Sequence, residues 1–307
     1  MKNVCLRREK LKYFYTHSLV VKTMPLKNVY GTGILPIEVY MEERDSVHTM
    51  LRPSLKLHYG KLNRTDNPRE MDMDGQSNVG DIDIHGGCTD SIEIYDNSSI
   101  GDIKVSRNSV VGKIGLYNDS DLRLLNLHGN SEAGKVLVND RSRIGRMTLF
   151  DNSSAHYLDF YCDSKVDDLT LYDNSKIGTA CFFQNSGARH MAFKDNSRAK
   201  IINFFGGLHA SDNLYFFGNS RASMINLLSD SRVGEISLSD NSKIRTLNMS
   251  ENSSTDLVMH DNSKAGLQTS NEAVLRDVYV SSGSEIDSYR GNFFQSPGKH
   301  MIHGDVP

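Results

Sequence analysis

The stretch from Ser142 to Asn174 reads SRIGRMTLFDN SSAHYLDFYCD SKVDDLTLYDN, which is three consecutive units of eleven residues. Each unit opens on a serine, places apolar residues two, five and seven positions later, and closes on an Asp-Asn-like pair. Similar units follow one another over most of the chain. Because self-similarity at a short fixed period is typical of solenoids, the chain is predicted to be a stack of equivalent units.

The spacing within a unit indicates a β-strand. Apolar residues at positions five and seven alternate with a polar or variable residue, which is the period of a strand. The Asp-Asn pairs predict turns, because both residues tolerate left-handed backbone. Glycine recurs at position three, as in Gly145 and Gly178. There we expect a second corner, with either a positive φ or a close approach of two backbones.

One unit is too short to enclose the Ile, Leu, Met and Phe side chains that point inward. We therefore predict an all-β, parallel β-solenoid with two units, or about 22 residues, per coil and nine or ten rungs about 4.8 Å apart. Three units per coil is the alternative. On a coil of two units the opening serines and closing asparagines form ladders, which we expect to hydrogen-bond among themselves at the corners.

The repeat divides the chain into three segments. Residues 1–74 lack it and are predicted to form a small β-rich segment that either caps the first rung or attaches the protein to an assembly. Residues 75–286 carry the repeat from about Ser77 onward. We expect the register to slip by one residue near Gly86, within residues 206–209 and between Ser253 and Ala273. Residues 287–307 are predicted to be a C-terminal cap or tail that does not continue the strands.

Composition limits the functional classes. The 307 residues carry a net charge of −3, so the sequence gives no sign of the basic stripe of a nucleic-acid binder. The four cysteines have no metal-ligand spacing and are expected to be free thiols: Cys5, Cys88, Cys162 and Cys181. The basic N-terminus lacks an apolar signal core, and no apolar run is long enough to span a membrane. We therefore expect synthesis in the cytoplasm without a signal peptide and no membrane insertion.

Carboxylates are the candidate catalytic groups. Parallel β-helices can host glycoside-cleaving enzymes, which need two carboxylates about 5 to 10 Å apart. Asp159 and Asp168 are the candidates here, although solvated corner residues also explain them. The scattered histidines form no H-x-x-x-H pair, so neither a metal site nor a cofactor is predicted.

Unit position eight points away from the core and is often aromatic. At one coil period it gives a single column: Tyr95, Tyr117, Asn139, Tyr161, Phe183 and Phe205. Exposed aromatic patches usually mark contacts, so the five aromatic residues are predicted to bind sugar rings or a partner protein. Stacking that only stiffens the sheet is the alternative. The second column is more mixed: Ser106, His128, Phe150, Tyr172, Lys194 and Phe217.

The serial Asp-Asn-Ser strands, as in Tyr172–Ser175 and Lys194–Ser197, resemble the polar β-solenoid repeats of phage tail-fibre, tailspike and related virion proteins and of some bacterial adhesins. The resemblance covers roughly residues 77–286, is architectural and carries over no functional residue. It implies a virion component, so we expect a homo-oligomer whose partners are other structural proteins of an assembly or a cell-surface polysaccharide.

Three functional hypotheses follow. The first is a non-enzymatic structural or receptor-binding module, with residues 1–74 as its attachment part. The second is a polysaccharide depolymerase that uses carboxylates on the rungs. The third is an effector or inhibitor that presents the solenoid to a host protein.

Overall fold

The computed structural model describes residues 37–40, 54–58, 61–66, 68–206, 211–270, 272–281, 283–290 and 301–302. These residues form a parallel β-solenoid of strands and turns, and none of them is helical. Leu149 pairs with Leu127 on one side and with Leu171 on the other, so each residue stacks on those two eleven-residue units away. The prediction of two units per coil is therefore confirmed.

Twenty-five strands alternate between two sheets. In chain order they are β1 (Ile37–Tyr40), β2 (Ser54–His58), β3 (Lys61–Asp66), β4 (Glu70–Asp74), β5 (Asn78–His85), β6 (Cys88–Ile94), β7 (Ser99–Ser106), β8 (Val110–Leu116), β9 (Asp121–Leu127), β10 (Glu132–Val138), β11 (Arg143–Leu149), β12 (Ser154–Phe160), β13 (Lys165–Leu171), β14 (Lys176–Phe183), β15 (Gly187–Phe193), β16 (Arg198–Phe205), β17 (Ser211–Phe216), β18 (Arg221–Leu228), β19 (Arg232–Leu238), β20 (Lys243–Met249), β21 (Ser254–Met259), β22 (Lys264–Thr269), β23 (Val274–Val280), β24 (Glu285–Arg290) and β25 (Met301–Ile302).

The even-numbered strands and β1 form sheet A, and the remaining odd-numbered strands form sheet B. Neighbouring strands are parallel except β1 and β2, which are antiparallel. From β2 to β23 each strand thus hydrogen-bonds to the strand two further along the chain, so equivalent unit positions stack in columns.

The core lies between the two sheets. Ile144, Met147 and Leu149, at unit positions two, five and seven, have no accessible surface. The predicted inward face is therefore confirmed. Inward rings also stack from coil to coil: the centroid of Phe182 lies 4.9 Å from that of Phe160 and 5.0 Å from that of Phe204. Like side chains on successive rungs fill the interior.

Most sheet-to-sheet turns in the described residues use two consecutive left-handed residues. Asp151 and Asn152 have φ of 53° and 61°, and the Ser153 amide donates to the Phe150 carbonyl at 3.2 Å. Two positive φ values inside such a turn define type I′ geometry, which explains the Asp and Asn residues.

The serine ladders match the prediction only in part: the Ser263 and Ser284 hydroxyls bond to each other at 3.3 Å, but most serine hydroxyl bonds run to backbone carbonyls. The buried Ser153 hydroxyl donates to the carbonyl of Leu127 in the preceding coil at 3.0 Å, not to another serine. A carbonyl oxygen has two lone pairs, so Leu127 can accept this bond in addition to the strand bond from Phe150. Side-chain bonds of the expected kind do occur between corners, as from Asn130 Nδ2 to Asn108 Oδ1 at 3.3 Å.

Glycine at position three reflects a close approach of backbones. A Cβ built on Gly178 would lie 2.5 Å from the carbonyl oxygen of His156 one coil earlier. Gly178 does not have a positive φ, so of the two explanations predicted for this glycine only close approach applies.

The register slips at the three predicted places. Asn78 pairs with Ser99, so this coil is one residue shorter than two full units. Ala188 pairs with Ser211, so that coil is one residue longer. A third shift occurs along β19 and β21.

The ladders extend beyond both limits of the readable repeat. Strands β2 and β3 already pair in parallel with β4 and β5, upstream of Ser77. At the other end β24 pairs with β22 and continues to Arg290, so the expectation that no strand extends past Asp287 was wrong. The backbone ladder persists there because Ile286 still packs against the core, although its neighbours are polar. The predicted roles of the N-terminal segment fall mostly outside the described residues.

Truncation of an inward residue should destabilise the fold, whereas truncation of an outward residue should not. Leu171 is fully buried, so Leu171→Ala should lower the free energy of unfolding by about 2 to 5 kcal/mol through lost burial and a cavity. Lys165 is exposed on the same strand, and Lys165→Ala should change it by less than about 0.5 kcal/mol. Urea unfolding measures both, and equal losses would contradict the assigned inward face.

Candidate functional site

The five predicted aromatic residues lie in one column on the outside of sheet A. Each is the last residue of a sheet A strand or directly follows one, and each is half-buried. We call Tyr95, Tyr117, Tyr161, Phe183 and Phe205 the aromatic column. Asn139 occupies the rung between Tyr117 and Tyr161.

The rings of the aromatic column stack on one another. Centroid separations are 4.8 Å for Tyr95 and Tyr117, 4.8 Å for Tyr161 and Phe183, and 4.7 Å for Phe183 and Phe205, with interplanar angles of 10°, 5° and 3°. Neighbouring rings therefore cover each other's faces, and the edges are turned outward. Nucleobases and sugar rings bind to aromatic faces, and within each stack little of any ring face is exposed for them to bind.

A charged pair supports the N-terminal part of the column. Lys113 Nζ lies 2.9 Å from Glu93 Oε1 and 5.5 Å from the centroid of the Tyr117 ring. Any Cβ at Gly115 would clash with the Glu93 carboxylate and with the Tyr117 ring, so this glycine makes room for both. Burial would lower the pKa of Lys113, but hydrogen bonds to Glu93 and Tyr117 outweigh it and raise that pKa.

The phenols of the column are held neutral. Burial raises the pKa of Tyr95, Tyr117 and Tyr161, and the nearby carboxylates of Glu93 and Asp159 raise it further. The rings therefore act as apolar groups with a hydroxyl tip at neutral pH.

The two candidate catalytic carboxylates lie on different sheets. Asp159 is in β12 of sheet A, and Asp168 is in β13 of sheet B. Asp159 is 2.9 Å from Lys135 Nζ, and Asp168 is 3.8 Å from Arg189 Nη2. The structure therefore does not bring the two carboxylates together. Consecutive units belong to opposite sheets, so residues close in sequence separate whenever a corner intervenes.

The outer face of sheet A also carries apolar residues that sequence counting missed. Ile201 pairs with Met224, and Phe205 pairs with Leu228, all half-buried. We call Phe183, Phe205, Leu228, Ile201 and Met224 the apolar band. The coil from Phe205 to Leu228 is one residue longer than two full units. Counting two units of eleven residues from Phe205 therefore reaches the inward Leu227 and overlooks Leu228.

An amide ladder runs between the two rows of the apolar band. Asn226 Nδ2 donates to Asn203 Oδ1 at 2.6 Å, and Asn248 Nδ2 donates to Asn226 Oδ1 at 2.7 Å. Asn203 in turn donates to Cys181 Sγ at 3.3 Å, and burial raises the pKa of that thiol. The ladder satisfies polar groups from rung to rung and keeps this surface flat.

The mixed column on sheet B is less continuous. His128 stacks on Phe150 at 5.2 Å, and Lys194 Nζ lies 5.1 Å from the centroid of Tyr172. Among the described residues no group of three or more His, Cys, Asp or Glu side chains could hold a metal ion. In the same residues there is no helix long and apolar enough to cross a membrane.

Stability at alkaline pH should depend on the column tyrosines. Their folded-state pKa values lie above the ordinary value of about 10. Their contribution to the free energy of unfolding is therefore complete below a pH of about 10 and is lost as the pH rises through the raised values. In a variant with Tyr95, Tyr117 and Tyr161 all changed to Phe, the free energy of unfolding should fall less steeply over this range. Identical slopes in urea titrations of the two proteins would contradict the prediction.

Comparison with protein-family models, with curated proteins and with solved structures finds no match for this chain.

Proposed function

We propose that the chain is a non-enzymatic structural β-solenoid that associates with further copies of itself in a larger assembly of virion type. The observation that carries the proposal is the apolar band together with the aromatic column on the outside of sheet A. The resemblance of the Asp-Asn-Ser strands to tail-fibre and tailspike repeats supports the type of assembly.

The geometry of the rings favours a protein partner. Their edges face outward, and edges pack well against aliphatic and aromatic side chains. From Tyr95 to Leu228 the surface spans six rung intervals, about 29 Å at the usual strand spacing of about 4.8 Å. An apolar surface of that length, interrupted at Asn139, is typical of a contact site on a polar repeat protein.

A second copy matches this surface in period. Its own rungs have the same spacing, so side chains of one copy can pack between those of the other along the whole length. Identical chains commonly assemble about a rotation axis, where one patch meets its own copy or a neighbouring patch. A solenoid axis parallel to the rotation axis would keep the rungs aligned.

The carboxylates support the non-enzymatic part of the proposal. A glycosidase needs an acid and a second carboxylate facing one another across the substrate. Asp159 and Asp168 lie on different sheets, and each is close to a cation. Each of these carboxylates thus lies beside a cation of its own sheet, not beside the other carboxylate.

Removal of the rings should dissociate the assembly without unfolding the chain. In sedimentation velocity experiments the wild-type protein should sediment as an oligomer, and Phe183→Ser combined with Phe205→Ser should sediment as a monomer. Buried aromatic anchors commonly cost more than about 1 kcal/mol each when truncated at an interface. Circular dichroism should show the same β-structure in both proteins.

The matched control is Phe150→Ser combined with Tyr172→Ser in the mixed column of sheet B, which should remain oligomeric. A monomeric wild-type protein, or equal dissociation in both double variants, would argue against the proposed contact. Release of oligosaccharides from a capsular polysaccharide, lost in Asp159→Asn or Asp168→Asn, would instead make the protein an enzyme.

A further inference from the structure

Basic side chains form a continuous row at the start of the sheet A strands. Five successive strands of sheet A, from β14 to β22, carry a cation at unit position one. The register stacks these residues rung on rung: Lys176, Arg198, Arg221, Lys243 and Lys264. Lys200 and Arg245 add two cations at position three of β16 and β20. We call these seven residues the basic stripe. The net charge of −3 gives no sign of this stripe, because it sums over the whole chain.

Most of the basic stripe forms no ion pair within the described part of the chain. At its C-terminal end Lys243 Nζ lies 2.7 Å from Asp287, and Lys264 Nζ lies 2.8 Å from Glu285. Within the described residues the other five cations form no ion pair, and all are exposed: Lys176, Arg198, Lys200, Arg221 and Arg245. Like charges on adjacent rungs repel. A column of cations therefore destabilises the fold, and a bound anionic ligand would reduce the repulsion.

The corner beside the basic stripe has a different chemistry. An exposed carboxylate precedes four of the five strands by three residues: Asp173, Asp195, Asp240 and Asp261. An exposed asparagine follows at the next position of every corner: Asn174, Asn196, Asn219, Asn241 and Asn262. Across the corner the surface thus presents rows of carboxylates, amides and cations in that order.

We propose that the basic stripe and its corner bind a linear acidic polysaccharide, with carboxylate or sulfate groups on its sugar rings. The anionic groups would pair with the lysines and arginines. The ring hydroxyls would donate to the corner aspartates and exchange hydrogen bonds with the asparagines, because carboxylates only accept and amides do both. A ligand that carries both anions and many hydroxyl donors can bind the rows of cations, amides and carboxylates at once.

The spacing of the stripe fits an extended sugar chain. Cations recur at every rung, about 4.8 Å apart, which is close to the advance of one pyranose ring in an extended chain. The stripe is straight because its residues share one register. A ligand that follows the solenoid axis can therefore meet a cation at each successive ring.

A nucleic acid suits the surface less well. It offers fewer hydroxyl donors to the corner aspartates than a sugar chain does, and single-stranded binding normally adds stacking of bases on aromatic faces. The rings at the other end of the sheet A strands cover one another's faces. The inference concerns a surface separate from the apolar band, so it stands or fails independently of the proposed self-association.

Isothermal titration calorimetry with polygalacturonate and with heparin tests the inference, with dextran as the neutral polymer. Both acidic polymers should bind, dextran should not, and affinity should fall as salt is added because exposed charges are screened. Arg198→Glu combined with Arg221→Glu should weaken binding by about tenfold or more, since each change removes an attraction and adds a repulsion.

The matched control is Lys165→Glu combined with Arg232→Glu. These residues occupy unit position one in sheet B and are exposed, and the pair makes the same change in net charge. Its affinity should stay within about threefold of wild type, because screened charges on the other sheet contribute little.

Two further polymers decide the class of ligand. Polyacrylate carries carboxylates without hydroxyls, and single-stranded DNA carries phosphates and bases. At equal charge concentration both should bind more weakly than polygalacturonate. Equal binding of polyacrylate, tighter binding of DNA, equal losses in the sheet A and sheet B variants, or no binding of either polysaccharide at low salt would each overturn the inference.

Discussion

The parallel hydrogen-bond ladder between coils is the interaction on which the rest of the structure depends. It sets the rung spacing and forces residues one coil apart to lie directly above one another, as Leu149 lies between Leu127 and Leu171. Every other property of the molecule follows from what is stacked in each column. Inward columns can be filled by one kind of apolar side chain, whereas outward columns repeat whatever chemistry the unit places there.

Stacking has opposite consequences inside and outside the solenoid. Inside, like side chains pack at van der Waals distance, as Phe160, Phe182 and Phe204 do. Outside, amides such as Asn203 and Asn226 bond to one another, but like charges repel. In the described part of the chain Lys176, Arg198 and Arg221 stack without an ion pair, which contradicts what the fold alone would favour. Functional surfaces are expected at positions where the residues that are present destabilise the fold locally.

The sequence predicts the fold well because a short period leaves few alternatives. The coil length, the inward face, the turn residues and the three slips could all be read from the spacing of apolar residues such as Leu169 and Leu171. The ends of the array could not, because the backbone ladder continues where side chains no longer repeat, as in β24.

The surfaces were harder to predict than the fold. Asp159 and Asp168 look adjacent in sequence but lie on opposite sheets, since a corner separates their units. Leu228 escaped a fixed count because of one extra residue in its coil. The basic stripe was hidden in the net charge, which sums over the whole chain and ignores which column a residue occupies. The chemistry of a surface depends on the column to which each residue belongs. Assigning a residue to its column requires the register of every coil.

The coil of two units also determines how the protein could change in evolution. The backbone of each coil hydrogen-bonds to the coils before and after it, so removing or duplicating one whole coil in the middle of the array would rejoin equivalent strands and leave the core unbroken. Such a step would shorten or lengthen every outer column by one rung. The number of contacts that a bound polymer makes, and with it the avidity, could thus be tuned in whole coils without altering a single side chain in the remaining ones.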